Sequence, residues 1–192
     1  GVVATDTTGV GTGRGLMAAA GYGSDKAIFG YGTDNYSILS LTNLVSNTGV
    51  VATDTTGVGT SRWGLAAADY GTDKAIFAYG ITGTNTVLNT KNLVSNTGVV
   101  AGDASGAGTA RYSVSAAGYG TDKAIFGYGD PYPSPTISAT NLVSNTGVVA
   151  TDTTGVGTVR RALTATGYGS DKAIFGYGYN GSISVSITNL VS

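Results

Sequence analysis

From Ser182 to Thr188 polar and apolar residues alternate one by one, the period of a strand with one covered face, and the segment carries on through Asn189, Leu190 and Val191. Three further strand-like runs precede it. Gly147–Asp152 is a short β-rich run ended by Thr153–Gly157, and Ala162–Thr166 leads into the hairpin-like turn signal Gly167–Asp171. Lys172–Tyr177 then reads as another strand. Four strands spaced at roughly 8–12 residues make one small antiparallel sheet. Helix is a poor alternative, because the one helix-friendly stretch, Ala18–Ala20, is followed at once by Gly21 and Gly23.

This unit is written four times. Gly1–Asp6 returns at Gly49–Asp54, Gly98–Asp103 and Gly147–Asp152, with Gly102 the one internal change. Asp25–Phe29 returns at Asp73–Phe77, Asp122–Phe126 and Asp171–Phe175. A period of 48 to 49 residues is too long for one solenoid coil and suits one blade of a β-propeller. The expected fold is therefore all-β: a propeller of four four-stranded blades in a single domain, with repeats 1–48, 49–97, 98–146 and 147–192. A β-solenoid is the rival, but it needs two coils per repeat, and the calcium-binding nonapeptide of such proteins is absent.

Arg14, Arg62, Arg111 and Arg160 each precede a small-residue strand, and the next strand ends in Gly30-Tyr31-Gly32 or its copies. In this order of parts the chain resembles the kelch repeat, in which an arginine opens the blade and a strand ending in a glycine pair lies near its middle. The resemblance covers the whole chain; it departs from the pattern in the tyrosine between the glycines and in the lack of a closing-strand tryptophan. Near-identical repeats of this wording are also similar to kelch-like proteins of phages and environmental microbes. Kelch topology implies that Val2–Thr5 is an outer strand completing the last blade and closing the ring, and hemopexin-like domains are precedent for four blades. Two such chains forming a larger ring, or a segment cut from a longer array, are the other arrangements.

Charged residues are 11% of the chain, 10 basic against 11 acidic, so no broad basic surface for nucleic acid is expected. No apolar run approaches the ~18 residues that span a bilayer, so no membrane insertion is expected. Cysteine is absent, which removes disulfides and thiolate metal sites. Richness in Gly (32) and Tyr (12), with Thr, Ala and Val, suits short strands and tight turns, and suggests an extracellular or virion surface.

Positions that differ among four copied units are ones the scaffold does not dictate. They fall in two windows. The first follows the opening arginine: Gly15-Leu16, Trp63-Gly64, Tyr112-Ser113 and Arg161-Ala162. The second follows Gly-Tyr-Gly: Thr33–Tyr36, Ile81–Asn85, Asp130–Pro135 and Tyr179–Gly181. In an up-and-down blade both windows emerge on one face of the disc, and rigid scaffolds commonly carry binding sites on such loops. Drift at tolerant loop tips is the plain alternative. Trp63, Tyr112, Arg161, Tyr36, Tyr132 and Tyr179 are the candidate ligand-binding residues, since aromatics and arginine dominate interface energies and flat rings suit sugars. Trp63 and Tyr112 equally suit a cover over the mouth of a small-residue core.

With no His, Cys or Glu, the Ser-His-Asp and Cys-His systems are excluded. Asp34, Asp69 and Asp130 are the non-repeated carboxylates that could serve glycoside hydrolysis, but each stands alone in its repeat. The opening arginines fit better as structural partners of Asp6, Asp54, Asp103 and Asp152 than as an anion-binding ring. One carboxylate per Thr-Asp-Thr-Thr-Gly loop is thin for calcium, so no metal or cofactor is expected. Asn35-Tyr36-Ser37 and Asn180-Gly181-Ser182 match the glycosylation acceptor pattern. The expectation is a non-enzymatic recognition or adhesion module binding a glycan or protein surface through the variable face. The alternative is a structural or decoration subunit of a virion or extracellular assembly, with self-association or virion partners.

Overall fold

The structure is a computed structural model that describes residues 1–192. It is all-β: twelve strands form four separate three-stranded antiparallel sheets, one per repeat. Repeat 1 contributes β1 (Ala18–Tyr22), β2 (Lys26–Gly30) and β3 (Thr42–Val45); repeat 2 contributes β4 (Ala66–Tyr70), β5 (Lys74–Ala78) and β6 (Lys91–Val94). Repeat 3 holds β7 (Ser115–Tyr119), β8 (Lys123–Gly129) and β9 (Ile137–Val143), and repeat 4 holds β10 (Thr164–Tyr168), β11 (Lys172–Gly176) and β12 (Thr188–Val191). In each sheet the middle strand is the Lys-Ala-Ile-Phe run, paired in the same register throughout, as Ala19↔Phe29 and Ala67↔Phe77 show. The first strands β1, β4, β7 and β10 lie side by side in chain order. Small residues at Ala18–Gly21 and their copies let these strands approach. The arrangement fits a β-propeller.

Each sheet has three continuous strands where four were expected. The segment Gly49–Thr55 occupies the fourth place, beside β3, but it pairs only at Val45↔Val51 and Thr42↔Thr55. One residue more lies between the paired positions on the outer segment than on β3, so the ladder is interrupted there by a bulge. Asp54 sits in that bulge and turns its carboxylate back to the Asn43 side chain at 2.9 Å. The alternating segment Ser182–Thr188 is also not the long strand its pattern suggests; β12 starts only at Thr188. The preceding residues fold over the end of the sheet, with Val185 N–H donating to the Gly178 carbonyl and Tyr177 N–H to that of Ile187.

The core is not central. It is three clusters, each centred on two neighbouring repeats, with Val149 of repeat 4 joining the one between repeats 2 and 3. At their heart a tyrosine of one repeat meets a phenylalanine of the next: Tyr31 with Phe77, Tyr79 with Phe126, and Tyr128 with Phe175, ring centroids 5.2–5.3 Å apart and edge to face. The tyrosine reaches across because it adopts positive φ, 64° at Tyr31 and similar values in the copies. The glycine after it, with φ of 97° at Gly32, occupies a conformation that a side chain would strain. Three backbone hydrogen bonds seal each junction. Between repeats 1 and 2 they run from Gly23 N–H to the Asp73 carbonyl, from Gly32 N–H to that of Arg62, and from Gly64 N–H back to Leu16. The corresponding bonds recur between repeats 2 and 3 and between 3 and 4.

The opening arginines lie at the same junctions. Arg62 stacks over the Tyr31 ring at 4.1 Å, Arg111 over Tyr79 and Arg160 over Tyr128, both at 4.2 Å. Each guanidinium also donates to an asparagine of the third strand, as Arg62 does to Asn92 at 2.6 Å. Asn43, Asn92 and Asn141 in turn hold the following repeat's aspartate. Arg14, Arg62 and Arg111 lie 3.6–3.8 Å from Asp54, Asp103 and Asp152.

Ring closure by the N-terminal segment is not formed. Val2–Thr5 has no strand pairing, Val2 is 99% exposed, and no core cluster or backbone hydrogen bond joins repeat 1 to repeat 4. Within the chain, Val51 is brought to β3 by a tight turn in which Ser46 Oγ accepts from the Thr48 and Val50 N–H groups. Val2–Thr5 has no such turn next to β12, so its pairing there carries the entropy of a non-local closure.

Candidate functional site

Antiparallel pairing decides which loops share an end of the molecule. In each repeat the segment after the opening arginine and the segment after Gly-Tyr-Gly leave the same end of the first two strands, and they pair directly: Gly15↔Thr33, Trp63↔Ile81, Tyr112↔Asp130 and Arg161↔Tyr179. Successive repeats are joined along this end. Gly64 N–H donates to Leu16, Ser113 N–H to Gly64 and Ala162 N–H to Ser113. All four residues in that row have positive φ, from 51° to 62°. The backbone is therefore held uniformly while the side chains beside it change.

Five of the six candidate residues fall into one row. Trp63 and Tyr112 meet edge to face with centroids 5.3 Å apart. Burial pushes the Tyr112 hydroxyl up from its ordinary value, and the neighbouring Asp130 carboxylate adds to this while Arg161 opposes it. Arg161 makes an ion pair with Asp130, whose side chain is nearly buried, and lies 5.4 Å from the centre of the Tyr179 ring. Tyr132, half exposed, stands on the loop that follows Asp130. Tyr36 stands apart, 94% exposed, on the corresponding loop of repeat 1. The row thus runs from Trp63 on repeat 2 to Tyr179 on repeat 4.

The three non-repeated carboxylates have different surroundings. Asp34 accepts from the Tyr36 and Ser37 N–H groups and shapes its own loop. Asp130 is committed to Arg161. Asp69 lies in β4 next to Gly118 of the adjacent repeat, near the opposite end of the strands from the variable loops. There it lines a cleft of about 180 Å³ with Tyr119, Lys123, Tyr168 and Lys172. The paired-carboxylate geometry of glycoside hydrolysis is not assembled from these residues, and no group of three His, Cys, Asp or Glu gathers for a metal. Of the glycosylation-pattern asparagines, Asn35 is exposed, while Asn180 Oδ1 caps its own turn by accepting from Ser182 and Ile183 N–H.

What sequence reasoning missed is the asparagine at the centre of each junction: Asn43, Asn92, Asn141 and Asn189. It lies in the constant Asn-Leu-Val-Ser-Asn-Thr-Gly wording, which reads as turn chemistry. The usable signal was its place inside a strand, where an invariant amide needs partners on both sides. Arg14, Arg62, Arg111 and Arg160 are buried or nearly so, and none faces the variable loops. Neither a family model nor a curated protein matches the chain.

Proposed function

We propose that the protein is a non-enzymatic recognition or adhesion module, a kelch-like propeller of an extracellular or virion surface, which binds a glycan or protein surface through its variable-loop face. The observation that carries this reading is the row Trp63, Tyr112, Asp130, Arg161 and Tyr179, in which unlike side chains from three repeats meet on a backbone that is the same in all four. Drift at loop tips does not require neighbouring variants to fit one another, whereas a selected surface does. The mix of partly exposed rings with one paired charge suits the apolar faces and hydroxyls of a sugar. Trp63→Ala tests it: the variant keeps the unfolding midpoint of the parent within narrow limits and loses capture on an immobilised glycan and cell-surface protein panel. Equal capture by parent and variant removes the reading.

A second reading, a structural or decoration subunit, is favoured by one specific observation. The outer face of repeat 4 leaves Tyr177 61% exposed, although Tyr31, Tyr79 and Tyr128 are buried, and Leu190 69% exposed, against 42% for Leu142 and partial burial of Leu44 and Leu93. Altered particle size with unaltered ligand capture is its signature.

A further inference from the structure

The junction between consecutive repeats is built from a fixed set of parts, each present three times. The earlier repeat supplies a tyrosine ring, two backbone N–H donors, one carbonyl, and an Arg-Asn-Thr cradle for a carboxylate. The later repeat supplies a phenylalanine, an arginine, two carbonyls, one N–H donor and an aspartate. At the cradle between repeats 1 and 2, Asp54 accepts from Thr12 N–H at 2.9 Å and from Asn43 at 2.9 Å, with Arg14 beside it. Asp103 and Asp152 are held in the same way by Thr60, Asn92 and Arg62 and by Thr109, Asn141 and Arg111.

Repeat 4 displays the complete earlier half of this set with nothing on it. Tyr177 is 61% exposed where Tyr31, Tyr79 and Tyr128 are buried. The N–H groups of Gly169 and Gly178 and the carbonyl of Ala162 have no backbone partner, although their counterparts bond to the next repeat. The cradle of Thr158, Arg160 and Asn189 holds no carboxylate. Arg160 is fully buried and donates to the Thr158 carbonyl and to Asn189, but no carboxylate stands beside it, whereas the equally buried Arg62 and Arg111 have Asp103 and Asp152. A buried guanidinium without an anion is costly, which makes this cradle a demand for a carboxylate rather than an idle surface.

Repeat 1 displays the complete later half, equally unused. Phe29 lacks the tyrosine that covers Phe77, Phe126 and Phe175, and Arg14 has no ring beneath it. The carbonyls of Asp25 and Arg14 and the N–H of Leu16 are unpaired across any junction. Asp6 makes no ion pair or side-chain hydrogen bond. It lies in Gly1–Thr8, the same eight residues as Gly49–Thr56, so the segment that docks beside β3 and the carboxylate that fills its cradle are both to hand.

We infer that the open face of repeat 4 is a docking site for repeat 1 of a second copy of this chain, joined head to tail by a fourth junction in which Asp6 occupies the Thr158, Arg160 and Asn189 cradle. Val3 of the incoming copy then takes the place that Val51 has beside Val45, and Phe29 covers Tyr177. The contact is heterologous, so successive copies close into a ring or grow as a filament according to the rotation at each junction. It involves neither Trp63 nor Tyr112 and stands independently of the recognition reading.

The test is sedimentation velocity of the 192-residue chain over a wide concentration series, with two variants. Asp6→Lys alters only an exposed residue and puts a cation against Arg160. Tyr177→Asn removes the docking ring with a residue that tolerates positive φ. The parent is expected to move from a 19.0 kDa species to multiples of it as concentration rises, and each variant to need at least tenfold higher concentration for the same shift. Mixed together, the two variants form one-to-one complexes that grow no further, because each retains the end that the other lacks. A parent that stays monomeric throughout overturns the proposal. So does association that Asp6→Lys leaves unchanged. A parent that is monomeric and loses thermal stability on Asp6→Lys also overturns it, since the N-terminal segment then closes its own chain.

Discussion

Replacing Phe126 by alanine, beside the same change at Phe29, measures how far the junctions rather than the single sheets hold the protein together. Phe126 is completely buried between β8 and the Tyr79 ring of the preceding repeat. Phe29 holds the identical place in its own sheet but has no preceding repeat against it and is only partly buried. A buried phenylalanine cut to alanine costs about 3–5 kcal/mol through lost transfer energy and the cavity left behind. At Phe29 the outer face of the ring is already wet and the edge-to-face partner is missing, so the same change costs about 1.5–2.5 kcal/mol. The assay is urea unfolding at concentrations where the chain is monomeric, with the slope against denaturant checked for constancy. Equal losses at the two positions, within ~0.5 kcal/mol, refute the argument, because burial within one sheet would then account for the whole effect.

Arg111→Met keeps the bulk of the side chain and removes the donors to the Tyr128 and Thr109 carbonyls and to Asn141; leaving these buried acceptors unpaired is expected to cost about 3 kcal/mol in the same assay. A loss below ~1 kcal/mol shows that water takes over the donor role. Stability also falls in acid. At Asp54 the hydrogen bonds from Asn43 and Thr12 hold the carboxyl below its usual range; at Asp103 and Asp152 burial raises it but the threonine and asparagine donors outweigh that. For a depressed carboxyl the stabilisation is complete above the unfolded value of about 3.9 and is lost as pH falls through the lower folded value. Melting temperature is therefore expected to be level near neutrality and to drop below about pH 4, with Asp152→Asn flattening that limb. A pH-independent melting temperature across this window contradicts the cradle chemistry.

The repeat period and the Lys-Ala-Ile-Phe strand were legible because a strand's middle residues answer to pairing and burial alone, and those act alike in all four copies. The two loop windows were legible as neighbours for the same reason: antiparallel order fixes which ends meet. Ser182–Thr188 misled because alternation measures whether a strand can cover one face, while the left-handed turn at Tyr177 and Gly178 decides where the chain goes next. Sequence gave no sign that the fourth strand would break, since the break comes from Asp54 turning to Asn43 across the ladder. The link from Arg161 to Asp130 lay beyond reading too. It joins the first window of repeat 4 to the second window of repeat 3, and only packing brings those loops together.

Since every junction uses the same backbone donors and acceptors in the same places, the molecule has no preferred length. A unit of 49 residues inserted at any junction meets a correct partner on both sides, and one removed leaves two ends that still match. Copy number can therefore change by whole units with every backbone junction intact, while pairs particular to one junction, Trp63 with Tyr112 and Asp130 with Arg161, part when a unit enters between them. Each added unit would bring one more pair of free loop windows, so surface could be gained and altered at a rate that the scaffold does not limit.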